Sequence, residues 1–234
     1  MTGMNPEEAP RFRPLTYPGQ WPDGDTLVTF SELVPLPDDD VAVDRLLAER
    51  GAETLASRYP VLAIGSNASP AQLRAKFIDA PDDLAIPQRL EDVSGVGVGY
   101  AALLTRFGYV PATVFPGDGA RLFVQYLTAT QIAALDATEY PYYKRVWLPA
   151  SIVMLSGGHG CYAYVAEGAL GAGTVLTMPT PGRSGTDQPG ILSFVAPFVT
   201  DGKLEVQAVR DAGLVGVNAF EELPDEFGRT LRAR

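Results

Sequence analysis

The chain has 234 residues, and its 18 Lys and Arg against 28 Asp and Glu leave a net charge of −10. That length fits one large domain with appendages, and 46% apolar against 20% charged residues is ordinary globular usage, enough for a sizeable core. The charge disfavours nucleic acid and anionic membranes, no apolar run reaches membrane-spanning length, and a single His with a single Cys (Cys161) speaks against a His/Cys metal site and forbids an internal disulfide.

Residues 1–14 carry Glu7, Glu8, Arg11 and Arg13 without an apolar stretch, unlike a secretory signal, so the expected address is the cytoplasm. The Pro- and Asp-rich segment 1–40 reads as an extended arm wrapping the domain, and it ends at Asp38-Asp39-Asp40, a helix N-cap. A short helix follows, with Val43, Leu46, Leu47, Leu55 and Ala56 on an apolar stripe interrupted by Gly51. Residues 59–64 read as a short, fully buried strand ended by Gly65. Ser69 and Gln72 stand at capping-box spacing and Pro70 takes the first helical position. The helix they open is expected to turn Leu73 and Phe77 inward and Arg74 and Lys76 outward.

Residues 93–104 are β-like, and strands at 112–115 and 121–127 are expected to meet across the turn Pro116-Gly117-Asp118-Gly119. Thr128 and Gln131 form a second capping box, opening a helix to about Glu139, which Pro141 stops. A hairpin at 146–155 and 161–165 crosses the glycine-rich segment 156–160. The tail holds a loop at 179–190, a strand at 191–195, and helical segments from about Leu204 and Phe220. Short strands among isolated helices predict an α+β fold, a mixed sheet curled into a partly closed barrel with flanking helices. The expected organisation is an arm and helix (1–58), a core (59–168) and an extension packing on it (169–234).

Two loci can carry chemistry. The turn Gly65-Ser66-Asn67 lies between a buried strand and a helix N-terminus, where backbone N–H groups and the helix dipole suit a carboxylate or phosphate. Glycine allows close approach there, and Ser66 and Asn67 add short hydrogen-bonding side chains. An ordinary strand–helix turn uses the same residue types. The second locus is Glu139, at the C-terminal end of its helix and beside Tyr140, Tyr142 and Tyr143. Aromatic neighbours desolvate a carboxylate and raise its pKa, which makes it useful for proton transfer near neutral pH. Against this stands a plain solvated helix-end glutamate.

Taken in order, these pieces resemble the γ-glutamylcyclotransferase-like family. Gly65, Ser66 and Asn67 match its Gly-Ser-Asn loop; Leu135, Asp136 and Glu139 match its Leu-Asp-x-x-Glu helix; Tyr143 and Arg145 match the Tyr and Arg of the following strand. Segment 111–116 looks like the family's Ala-Thr-Leu-x-Pro stretch and 161–165 like its closing strand, so the likeness spans about 60–167. Ile64 stands where the family usually has an aromatic residue, commonly Tyr, and Tyr140-Pro141 stand in place of a glycine.

The resemblance implies an enzyme that cyclises a γ-glutamyl amine, amide or peptide to 5-oxoproline and releases the amine. Glu139 is then the general acid/base, and Gly65, Ser66, Asn67, Tyr143 and Arg145 bind a small anionic γ-glutamyl substrate; no metal or cofactor is needed. The alternatives are a non-catalytic binding or regulatory protein that kept the fold, and a related γ-glutamyl chemistry such as removal of a protecting group. Gly97-Val98-Gly99 with Ala102 opens no capped helix, so a dinucleotide site is not expected there, and His159 reads as a solvated turn residue.

Overall fold

Segment 26–35, expected as part of an extended arm, instead forms two short antiparallel strands, β1 (Thr26–Thr29) and β2 (Leu33–Pro35). All four residues of β1 are buried, so its side chains and backbone are settled by packing against the sheet rather than by the surrounding prolines. This computed structural model describes residues 5–168, 171–172, 175–176, 188–216 and 219–232. Helix α1 (Asp40–Ala48) is capped as expected: the Asp39 carboxylate accepts the Ala42 N–H at 3.1 Å. It ends before Gly51 (φ +65°), and Leu55 packs with Val43 and Leu47 from a separate 3-10 turn.

Strand β3 (Tyr59–Ala63) is the continuous apolar run of the sequence. Val61 faces one core with Leu73, Leu127 and Leu135, while Leu62 faces another with Val114, Val124 and Val146. A strand covered on both faces has no polar alternation, which is why the run is unbroken. After β3 come α2 (Pro70–Lys76), β4 (Ala85–Tyr100), β5 (Ala112–Leu127), α3 (Ala129–Glu139), β6 (Tyr143–Leu148) and β7 (Cys161–Gly168).

The seven strands form one mixed sheet in the order β2-β1-β4-β5-β3-β7-β6, antiparallel except for the β3–β7 pair. The class is therefore α+β with a mixed sheet, as expected; β2 and β6 remain as edges, so the sheet is not closed. The edge at β6 is partly covered by the C-terminal residues. Lys144 Nζ donates to Leu223 O at 2.9 Å, and the Glu226 N–H donates to Arg145 O at 2.7 Å.

Two local expectations fail for identifiable reasons. Pro116-Gly117-Asp118-Gly119 is not a turn; β5 runs straight through it. A bulge between Ser94 and Val96 of β4 absorbs the irregularity, with Gly119 opposite Ser94 and Pro116 opposite Val96. Glycine is needed at 117, where a Cβ would lie 2.8 Å from the Gly97 nitrogen. The strand expected at 191–195 is helical, α4 (Gln188–Val195): Ile191 and Val195, four apart, are both buried and pack with Val209 of α5 (Val206–Asp211). Most of the loop expected at 179–190 lies outside the described residues.

The helix α2 also departs from expectation. Arg74 and Lys76 face inward, because the N-terminal arm covers the outer side: Ala9 packs on Ala71 and Ala75, and Arg11 Nη1 donates to Ala75 O at 3.3 Å. Arg74 Nε donates to Thr29 O at 2.9 Å. Pro70 occupies the first turn as expected, yet the Ser69/Gln72 capping box does not form, and neither Ser69 Oγ nor Gln72 Oε1 has a hydrogen-bond partner. The arm's backbone passes so close at Gly19 that a Cβ there would lie 2.8 Å from Ser69 Oγ. By contrast, the Thr128/Gln131 box at the start of α3 is complete in both directions, and the neighbouring Arg58 and Asp83 add bonds to Gln131 rather than displacing it.

Candidate active site

The site begins where β3 runs out. Gly65 adopts φ +64°, and residues Gly65–Ala68 form a 3-10 turn that leads into Pro70 and α2. A Cβ at 65 would lie 2.1 Å from Tyr17 Oη, so the position requires glycine for both its backbone angle and its neighbour. Tyr17 comes from the arm. Its hydroxyl accepts the Ala112 N–H at 2.6 Å and its ring stacks on Tyr109 with centroids 4.5 Å apart. Trp21, also from the arm, donates its indole N–H to Gly65 O at 3.1 Å. A phenol therefore stands against the turn although residue 64 is Ile.

A 3-10 turn opening at Ile64 engages the Asn67 N–H in its own first i to i+3 bond. Gly65 is buried beneath Tyr17 and does not line the cleft, so the turn amide left for a ligand there is that of Ser66. Asn67 enters instead through its side chain. Its Nδ2 donates to Glu139 Oε1 at 2.9 Å, and its Oδ1 accepts from Lys76 Nζ at 2.7 Å. Lys76 Nζ in turn donates to Glu139 Oε1 at 2.5 Å, closing a triangle of three side chains from the turn, α2 and α3. Gln125 of β5 fixes the Asn67 backbone, its Nε2 donating to Asn67 O at 2.8 Å.

Glu139 is 8% exposed. It is neither solvated nor surrounded by aromatic rings alone: Lys76 gives it a buried counter-charge that the sequence did not suggest. Glu139, Lys76, Asn67, Ser66 and Tyr143 line a single cleft together with Arg11, Phe107 and Tyr109. Tyr143 donates to Ala112 O at 2.9 Å. Burial, and then the charge of Glu139, push the Tyr109 hydroxyl up to about 12. Burial raises Tyr17, Tyr143 and Tyr164 in the same direction, so the tyrosines around the cleft are neutral donors and acceptors at ordinary pH.

Arg145, expected to bind substrate, does not line this cleft. Its Nε and Nη2 grip the Asp136 carboxylate, each at 3.0 Å, Nη2 also donates to Glu226 O at 2.9 Å, and the guanidinium lies 4.8 Å above the Tyr162 ring. Burial alone would lower its pKa, but the bond to Asp136 and that carboxylate's charge raise it. Asp136 sits about one helical turn before Glu139 and intercepts the arginine; Tyr164 Oη adds a 2.7 Å bond to Asp136 Oδ1. The Leu135–Asp136 part of the helix thus holds α3 on the sheet, and its last two residues, Thr138 and Glu139, reach the cleft.

Lys76, Arg11, Tyr17 and Tyr109 are site residues that sequence reasoning missed. Lys76 was placed on an outward face, and the arm carries no local signal of what it covers. Among the described residues, no group of three or more His, Cys, Asp or Glu is placed to hold a metal, and no helix is long and apolar enough to cross a membrane. In comparisons with known proteins, no family model, no curated protein and no solved structure matches the chain.

Proposed function

We propose that the chain is a cytoplasmic γ-glutamylcyclotransferase-like enzyme, with Glu139 as general acid/base, acting on a small γ-glutamyl amine, amide or peptide. One observation carries this reading: the Gly-Ser-Asn turn and Glu139, 72 positions apart, meet in one cleft through the 2.9 Å bond from Asn67 Nδ2 to Glu139 Oε1. In the proposed reaction the substrate's α-amine attacks its own γ-carbonyl carbon. A new C–N bond closes the lactam ring, the original amide C–N bond breaks, and 5-oxoproline and the free amine leave. Glu139 takes one proton from the α-ammonium before attack and a second from the ring nitrogen once the new bond has formed, and passes each to the departing amine, which leaves as an ammonium; protons therefore balance without a co-reactant. Such an acid/base contributes about 10²–10⁴-fold.

Because the reaction is intramolecular, the protein's main task is to fold the glutamyl chain back on itself. The Ser66 amide suits the α-carboxylate, and Tyr143 and Tyr109 wall the chain in. With Lys76 paired to Glu139, Arg11 is the cation left over to favour an anionic ligand inside a chain whose net charge of −10 repels nucleic acid.

The test is incubation with a panel of γ-glutamyl amines, amides and peptides, with 5-oxoproline as the readout. Product formed equally fast by Glu139→Gln refutes the mechanism. A second reading, a binding protein that keeps the pocket without turnover, is favoured by the ion pair between Lys76 and Glu139, which satisfies the carboxylate without a substrate. A γ-glutamyl compound that raises Tm yet stays intact for hours supports that reading instead.

A further inference from the structure

Lys76 is the group whose bonds leave something over. An ammonium has three N–H donors. One goes to Asn67 Oδ1 at 2.7 Å and one to Glu139 Oε1 at 2.5 Å. The side chain is 6% exposed and lines the cleft, so the third donor belongs to the cleft wall. A buried ion pair of this kind adds little to stability compared with an apolar pair of similar volume. Its place at the cleft, rather than in either hydrophobic core, points to a role toward the ligand.

Counting donors on the other side of the site gives the same answer. Of the turn residues, Ser66 and Asn67 line the cleft; the Asn67 N–H closes the turn and its side chain is taken by Glu139 and Lys76, which leaves the Ser66 amide for the α-carboxylate. Nothing in the turn then remains for the oxygen of the γ-carbonyl, which becomes negative as the amine adds. Building on the cyclotransferase reading, we propose that Lys76 is a second catalytic residue: its third N–H binds the γ-carbonyl oxygen and stabilises the oxyanion, while Glu139 moves the proton. As the new C–N bond forms, the carbonyl π pair shifts onto the oxygen held by Lys76. It returns when the amide C–N bond breaks, and the leaving amine takes the proton from Glu139. Lys76 keeps all of its own protons throughout.

The ionisable groups facing this pair come from every wall of the cleft. They are Tyr17 and Arg11 from the arm, Tyr109 from the loop after β4, Tyr142 and Tyr143 at the start of β6, and Tyr164 from β7. Arg11 is the one cation among them, and it is held beside α2 by Ala75 O and the Phe107 ring.

Two measurements test the assignment. With a substrate that the wild type cyclises, Lys76→Met should lower kcat by about 10²–10³-fold, the usual cost of one oxyanion donor, with KM changed less than about threefold. Lys76→Arg should recover part of the loss. The loss should persist to the alkaline end of the pH–rate profile. Recovery of Lys76→Met at high pH would mean that Lys76 only keeps Glu139 ionised, and a defect confined to KM would mean ground-state binding; either overturns the proposal. The second measurement needs neither turnover nor a variant that folds. Wild-type protein labelled with 15N-lysine is titrated with 5-oxoproline, and the side-chain ammonium resonance of Lys76 should shift, whereas matched sodium chloride leaves it in place. A resonance that does not respond overturns the proposal. If the wild type releases no 5-oxoproline from any substrate, the functional reading falls, while the titration still decides whether Lys76 donates to a carbonyl or carboxylate ligand.

Discussion

Replacing Gly65 by alanine tests the construction of the site at its tightest point. The residue has φ +64°, a region that costs an L-residue about 1–2 kcal/mol. The larger consequence is steric, since the new Cβ would sit 2.1 Å from Tyr17 Oη and 3.0 Å from Tyr17 Cζ. The hydroxyl must retreat by roughly an ångström or more to reach ordinary contact, and it then leaves the Ala112 N–H, now 2.6 Å away. A buried N–H without an acceptor costs about 1–3 kcal/mol. The expected loss is therefore about 2–5 kcal/mol, or about 4–20 °C in Tm for a chain of this size. Urea unfolding measures it, and Tyr17→Phe supplies the control. The phenylalanine variant already lacks the oxygen, so the double variant should be less destabilised than the sum of the two single ones. A Gly65→Ala protein within about 0.5 kcal/mol of wild type, or strict additivity in the cycle, would refute the claim that Tyr17 dictates glycine at 65.

Three further outcomes are expected. Arg145→Met should lower Tm, since breaking a buried pair costs about 3–5 kcal/mol, yet leave turnover per folded molecule close to wild type; a large fall in kcat with Tm intact would return Arg145 to the substrate site. Arg58→Met should cost about 3 kcal/mol or more, because Arg58 is 1% exposed and supplies donors to Glu53 O, Ala85 O, Tyr126 O and Gln131 Oε1, and chemical unfolding checks it. Stability should also fall as pH rises past about 10. Burial, followed by nearby charge, raises Tyr109 to about 12 and lifts Tyr17, Tyr143 and Tyr164 as well, so in this window the unfolded chain loses phenolic protons that the folded chain keeps. Each such tyrosine removes about 1.4 kcal/mol per pH unit, and a thermal-unfolding series that stays flat from pH 9 to roughly 11 would contradict it.

What the sequence disclosed and what it hid divide along one physical line. The buried strand β3, the glycine that ends it, Pro70 at the first helical turn and the Thr128/Gln131 box are local signals, and each reappears in the structure. So does the prominence of Glu139, because its place at the end of α3 follows from the cap before it and Pro141 after it. The errors occur where a distant segment overrides a local preference. Pro116 to Gly119 make a good turn in isolation, but pairing with β4 across a bulge keeps them extended. Residues 191–195 look like a strand until Ile191 and Val195 find Val209 four positions' spacing apart on a helix. Ser69 and Gln72 have capping-box spacing, yet the arm crosses at Gly19 and the box stays open.

The arm accounts for the last of these reversals and also for the character of the site. By covering α2 it turns Lys76 from a solvated charge into the buried partner of Glu139, and by laying Tyr17 against Gly65 it supplies the phenol that Ile64 does not. The candidate site is therefore assembled from the arm, the β3–α2 turn, the loop after β4 and the end of α3, none of which makes a cleft alone. Burying a carboxylate that is 8% exposed is costly without a counter-charge or hydrogen-bond donors, and here the two donors to Oε1 come from α2 and the turn. Opening the arm would solvate α2 and loosen that arrangement without touching Glu139 itself. The surroundings of Glu139 thus depend on a segment more than a hundred residues earlier in the chain, whose composition gave no hint of it.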